Sequence, residues 1–205
     1  MYIEVKNSEK PVDYLESMKI LEKRAEGVFL GKSSELLWIL EHNITYTAGT
    51  SSVDSDVLSK RIKIIKTNRG GKHTIHSPGQ KVVYFVLNLN ERKKNIRFLI
   101  NQIECCIINV LKEYNINSFP DRKNIGIWVK KEKEKNKIAA IGIKVKKWIA
   151  YHGFAINISN DLSLYKNIVP CGIKNKGVTN LKTLGVKDYN NINKVITKKF
   201  MDIFS

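Results

Sequence analysis

The chain has 205 residues, 42% apolar and 27% charged, with 36 Lys and Arg against 19 Asp and Glu and a formal charge of +17. That length suits one domain, residues 1–205, with a sizeable core; the composition excludes disorder, and no apolar run approaches the roughly 20 residues of a membrane span. The charge has two readings, an acidic partner or a plain compositional excess of Lys, Asn and Ile. The lysines are scattered rather than striped along one helix, which argues against a basic, non-catalytic nucleic-acid-binding module.

Met1–Lys6 lacks the basic-then-apolar pattern of a signal peptide and reads as a first strand, so a cytoplasmic location is expected. Leu15, Met18, Leu21, Ala25 and Val28 recur at helical spacing and predict a first helix. Strand-like runs follow at Leu36–Leu40 and Ile62–Ile65, and a third, Val82–Leu89, comes after the irregular stretch 69–80. Phe98, Leu99, Ile103, Cys106, Val110, Leu111 and Tyr114 predict a second helix. Further β-rich runs lie at Ile125–Val129, Ile138–Val145 and Trp148–Ile158; the last two read as a hairpin joined by Lys146-Lys147, and the charged stretch Lys130–Lys137 as a solvated hairpin loop. Ile192, Val195, Ile196, Phe200 and Ile203 predict a C-terminal helix. The strict βαβ alternation of a doubly wound fold is missing. The expectation is an α/β (α+β) domain with a mixed, mostly antiparallel sheet flanked by helices.

Residues 69–80, Arg-Gly-Gly-Lys-His-Thr-Ile-His-Ser-Pro-Gly-Gln, concentrate chemistry that a plain core strand does not need. Glycine permits close backbone approach or positive φ, and proline fixes the exit. A phosphate cradle fits poorly: GxxxxGK[ST] and GxGxxG are both missing, and the segment runs into a strand rather than a helix N-terminus. A tight turn with no ligand is the plainer alternative. His76 and His152 form a conceivable metal pair, but each is more simply a hydrogen-bonded structural histidine, as are His42 and His73. With no CxxC or HExxH, a zinc site is not expected.

The three cysteines, Cys105, Cys106 and Cys171, lack framework spacing and fit a reducing compartment. Cys105 and Cys106 belong to an amphipathic helix and read as packing residues. Cys171 sits in Val169-Pro170-Cys171-Gly172, where proline and glycine leave the sulfur uncrowded; an exposed nucleophile and a structural thiol are both open. A nucleophilic thiol needs a base or a nearby cation, because only the thiolate attacks. His76, His152 and many lysines are available, and spacing does not choose among them.

Four segments together resemble one family. They are Arg69-Gly70-Gly71 with Thr74, His76 and Pro78-Gly79-Gln80; Lys137-Ile138-Ala139-Ala140-Ile141-Gly142; Trp148 with His152-Gly153-Phe154-Ala155-Ile156-Asn157; and Pro170-Cys171-Gly172 followed by Gly177-Val178-Thr179. Glu41-His42 and Tyr46-Thr47-Ala48-Gly49 fit as well. In order and spacing they resemble the octanoyltransferase family, which is similar in fold to lipoate and biotin protein ligases.

The resemblance implies transfer of an octanoyl group from octanoyl-acyl carrier protein to a lysine of lipoyl domains, those of 2-oxoacid dehydrogenases and the glycine cleavage H protein, with no cofactor and as a monomer. It implies Cys171 as the acyl-accepting nucleophile and Lys137 as the catalytic lysine. It also implies an acyl pocket built from Arg69, Gly70, Gly71, Lys72, His73, Thr74, Ile75 and His76, from Ala140, Ile141 and Gly142, and from His152, Gly153, Phe154 and Ala155. An acidic carrier protein would give the positive charge a use in steering association. The alternative within the same fold is an ATP-dependent lipoate–protein ligase, which has no need of a Pro-Cys-Gly nucleophile. Two residues depart from the family pattern: Ile75 stands where an aromatic residue is usual, with an expected effect on the pocket wall and on chain-length preference, and Ser77 stands where glycine is usual.

Overall fold

A computed structural model describes residues 2–131, 134–169 and 177–205. The expected nucleophile turn, Pro170-Cys171-Gly172, lies outside the described residues. The strands are β1 (Ile3–Asn7), β2 (Glu35–Leu40), β3 (Thr45–Ala48), β4 (Ile64–Lys66), β5 (His73–His76), β6 (Gln80–Asn88), β7 (Ser118–Pro120), β8 (Ile127–Lys131), β9 (Glu134–Lys146), β10 (Ile149–Asn157) and β11 (Gly177–Val178). The helices are α1 (Tyr14–Phe29), α2 (Ile96–Lys112) and α3 (Ile192–Phe204).

The main sheet runs β1-β2-β6-β10-β9-β8-β7, with β11 added to β9. Only the β1–β2 and β11–β9 pairings in it are parallel, so the sheet is mixed and mostly antiparallel. A smaller sheet, β4-β3-β5, stands apart from it. Alternation along the central strands gives two cores. Leu37, Ile39, Val83, Phe85, Phe154 and Ile156 meet α2 and α3 on one face; Leu36, Trp38, Val82, Tyr84, Tyr151 and Ala155 meet α1 on the other. The β9–β10 hairpin turns at Lys147 and Trp148, with φ of 52° and 61°, two successive left-handed residues as a two-residue turn on twisted strands requires. Among the described residues no helix is long and apolar enough to cross a membrane.

Three local expectations change. The described residues of Lys130–Lys137 are strand rather than loop: β8 continues to Lys131, which pairs with Glu134 at the start of β9, so Lys137 lies inside a strand. Lys130, Glu134 and Lys135 are exposed, so charges that suggested a loop belong to solvent-facing strand ends. The buried stripe of α1 begins one residue earlier than the periodicity of Leu15 implies. Tyr14, Ser17, Leu21, Ala25 and Val28 are buried, and Leu15 is 52% exposed. Phe98 at the start of α2 is also exposed.

Candidate active site

A cavity of about 390 Å³ opens on the α1 face of the main sheet, within the ~300–1,000 Å³ usual for ligand sites. The register puts Gly142, Gly153 and Tyr84 side by side across β9, β10 and β6, and Ala140, Ala155 and Val82 beside them. Small residues on the first two strands leave the room that the cavity occupies. The 69–76 segment forms the opposite wall.

Arg69 fixes that wall. Its guanidinium donates to the Thr47 carbonyl (3.2 Å), to Thr47 Oγ1 (2.7 Å) and to its own neighbour's carbonyl at Gly70 (3.0 Å). The Gly70 N–H donates to the Ile143 carbonyl at 3.0 Å, tying the loop to β9 and committing that N–H to the fold. A Cβ at Gly142 would lie 3.2 Å from Arg69 Cδ and 3.3 Å from the Gly70 carbonyl oxygen. Loop and strand therefore approach as closely as glycine permits.

His152 takes an unusual route to the cavity. In β10 its neighbours Ala150 and Phe154 belong to the α2/α3 core, and alternation places His152 with them. Its φ of +69° turns the ring to the α1 face instead, stacked on Tyr151 at 5.1 Å and edge-on to Tyr84 at 6.4 Å. A positive φ at a non-glycine residue inside a central strand is strained, and such strain clusters at functional sites. Asn68 Nδ2 donates to Glu22 Oε1 (2.7 Å), which presents Asn68 Oδ1 to His152 Nε2 at 2.7 Å. That acceptor requires the proton on Nε2 and leaves Nδ1 as a lone pair, buried and without a partner among the described residues. Burial, with the nearby charges of Arg69 and Lys144, holds His152 neutral, its pKa lowered to about 3.

Burial acts on His76 and His42 in the same direction. His76, also lowered to about 3 chiefly by burial, donates from Nδ1 to Gln80 Oε1 at 2.7 Å. His42 donates from Nδ1 to the Val12 carbonyl (2.7 Å) and accepts from the Tyr84 hydroxyl at Nε2 (2.8 Å), with its pKa lowered by burial. Tyr14 stacks on His76 at 5.8 Å. Among the described residues no group of three His, Cys, Asp or Glu is placed to hold a metal.

Lys137 is 5% exposed. Its Nζ donates to the Ile125 carbonyl at 3.0 Å and lies 4.8 Å from the Trp128 ring centroid. Gly126 makes this possible. Its φ is +132°, and a Cβ there would come within 2.7 Å of the Ala139 carbonyl oxygen and 3.2 Å of Lys137 Cε. The segment that follows the 170–176 stretch is held beside the lysine, for Val178 pairs with Lys137 and the Thr179 N–H donates to the Lys137 carbonyl at 2.9 Å. Asn157 supports it from β10 by donating to the Thr179 carbonyl at 3.0 Å.

The structure gathers Lys137, Arg69, Gly70, Gly71, Lys72, His73, Thr74, His76, Ala140, Ile141, Gly142, His152, Gly153, Phe154 and Ala155 around the one cavity. Ile75 is not part of its lining. On β5, Thr74 and His76 face the cavity, while Ile75 is buried with its cross-strand neighbour Tyr46 and with Tyr165 and Ile168. An expected effect of Ile75 on the cavity wall therefore has no direct geometric basis. Ser77 has no positive φ, so a Cβ is tolerated there. Sequence reasoning missed Tyr14, which stands beside the helical stripe, Val82 and Tyr84, whose place in a strand signals only core, and Lys123, Asn124 and Ile125 at the opening, where no pattern points to a ligand.

The family model of the lipoyl protein ligase A/B catalytic domain matches residues 13–201. The chain is 45% identical over 199 residues to an octanoyltransferase of Wolbachia sp. subsp. Brugia malayi (strain TRS), covering 96% of this chain and 97% of that one. It is 44% identical over 206 residues to an octanoyltransferase of Ehrlichia canis (strain Jake), covering 99% and 96%. Among solved structures, a lipoate-protein ligase A bound with ATP matches with a TM-score of 0.76 over 99% of this chain and 85% of that one, at 14% identity. A bi-partite lipoate protein ligase from Thermoplasma acidophilum gives 0.75 over 99% and 84%, also at 14% identity. At such identities these two structures bear on the fold alone. The chain belongs to the octanoyltransferases of the lipoyl protein ligase A/B catalytic-domain family.

Proposed function

We propose that the protein transfers an octanoyl group from octanoyl-acyl carrier protein to a lysine of lipoyl domains through a thioester on Cys171. The observation that carries this reading is a slot floored by Ala140, Gly142, Gly153 and Ala155, with no carboxylate among its lining residues and with buried Lys137 at its edge. Neutral imidazoles and glycine backbone suit a hydrocarbon chain.

In the first step the Cys171 thiolate attacks the donor's thioester carbonyl, and the tetrahedral intermediate collapses with loss of the carrier thiolate, which takes a proton from the Lys137 ammonium and leaves Lys137 neutral. The Lys137 ammonium favours the attacking thiolate. In the second step the acceptor amine attacks the Cys171 thioester; neutral Lys137 removes the amine proton, the amide forms and the Cys171 thiolate departs. One thioester is exchanged for another before the amide forms, so the covalent step is nearly balanced in energy. Backbone N–H groups stabilise the oxyanion, and Gly70, already bonded to Ile143, is not one of them. The acceptors are the lipoyl domains of 2-oxoacid dehydrogenases and the glycine cleavage H protein, and the +17 charge steers the acidic carrier protein to the enzyme.

The test is to mix enzyme, octanoyl-acyl carrier protein and an apo lipoyl domain without nucleotide. The lipoyl domain should gain one octanoyl group by mass. Octanoylation that needs free octanoate and ATP would instead establish a ligase.

A further inference from the structure

We infer that Tyr14 closes the inner end of the cavity and sets the longest acyl chain that the enzyme accepts. The inference rests on the acyl-transfer reading of the same cavity. Lys137 and the Lys123–Ile125 segment lie at one end, toward β8, for Lys137 pairs with Trp128 and donates to the Ile125 carbonyl. From β9 the lining crosses β10 and reaches β6 at Val82 and Tyr84. It goes no further across the sheet. The next strand, β2, pairs Trp38 with Tyr84 and Leu40 with Val82, and these residues belong to the α1 core rather than to the cavity. Tyr14, 2% exposed, is the α1 residue that meets this end.

The dimensions suit an eight-carbon chain. Two strand spacings of about 4.8 Å give roughly 9–10 Å from β9 to β6. Seven C–C bonds of about 1.5 Å, laid out as a zigzag, span roughly 9 Å. A chain that crosses the floor from β9 to β6 therefore ends under the Tyr14 ring. That ring is held in place. Asp13 caps α1 by accepting from the Glu16 N–H at 2.9 Å, and the ring stacks on His76 at 5.8 Å and sits edge-on to His42 at 5.3 Å. A stop on a helix start, backed by two buried imidazoles, resists being pushed aside by a longer chain.

The test compares kcat/KM for hexanoyl-, octanoyl-, decanoyl- and dodecanoyl-acyl carrier protein. Tyr14→Ala should raise the decanoyl-to-octanoyl ratio at least about tenfold, the scale of one methylene in an apolar pocket. Tyr14→Phe, which keeps the ring, should leave the ratio as in the wild type. Gly142→Ala, whose added Cβ meets Arg69 Cδ and the Gly70 carbonyl oxygen, should move the preference toward hexanoyl. If Tyr14→Ala does not fold, Tyr14→Leu carries the same expectation. An unchanged ratio in a folded, active Tyr14→Ala or Tyr14→Leu protein overturns the end-wall assignment. No octanoyl transfer by the wild type overturns the acyl-transfer reading on which it rests.

Discussion

At an ordinary position inside a strand, alanine is more stable than glycine by about 0.5–1 kcal/mol. At position 152 the order should reverse. The φ of +69° costs a residue with a Cβ about 1–2 kcal/mol and costs glycine almost nothing. His152→Ala and His152→Gly both lose the stack on Tyr151 and the bond to Asn68, so those terms cancel between the two variants. What remains is the left-handed cost less glycine's larger entropy, a net advantage for glycine of about 1 kcal/mol. In a chain of this length that is a melting temperature roughly 2–4 °C higher for His152→Gly than for His152→Ala. Differential scanning calorimetry of the two variants side by side reads it directly. An alanine variant as stable as the glycine variant, or more so, would show that the ring and not the strand pairing holds the backbone left-handed, and would refute the claim that the fold imposes this strain.

The two deeply buried histidines give a pH dependence of definite sign. His76 and His152 are neutral when folded, with pKa values of about 3, and take a proton near pH 6.5 when unfolded. Between those values the unfolded chain binds more protons, so stability is full above pH 6.5 and is lost as pH falls, by about 2 kcal/mol per histidine at pH 5. Urea midpoints at pH 7.5 and 5 should therefore separate more in the wild type than in His152→Gly; equal separations would remove His152 from the effect. Lys137→Ala should lower transfer by about 10²–10⁴-fold with an unchanged circular dichroism spectrum, and undiminished turnover would exclude the lysine from the mechanism. Ile75→Ala should cost about 2–5 kcal/mol in denaturant unfolding, because it empties space against Tyr46, Tyr165 and Ile168. Its chain-length preference should stay as in the wild type, and a shifted preference would mean that Ile75 does reach the acyl chain.

Much of this architecture was legible because periodicity reports burial. Val82–Leu89 and Trp148–Ile158 mark β6 and β10 to within two residues, and the three helical patterns mark α1, α2 and α3. Lys137 shows where that reasoning stops. It closes a run of charges that suggests solvent, yet pairing with β8 and the Cβ-free space at Gly126 bury it. Tyr14 is invisible for the opposite reason. An aromatic residue beside a helical stripe predicts packing, and only the three-dimensional meeting of α1 with β6 turns it into a cavity wall. Ile75 departs from the family pattern at a position whose neighbours line the site, and strand alternation sends it to the other face. The route of His152 depends on a single backbone dihedral, which nothing in His-Gly-Phe fixes without the sheet around it.

The central claim, a covalent octanoyl-enzyme on Cys171, is tested most directly by intact mass spectrometry of the enzyme after incubation with octanoyl-acyl carrier protein and no acceptor. The account predicts one octanoyl adduct, released by hydroxylamine and missing from Cys171→Ser. An adduct that persists in Cys171→Ser would contradict it.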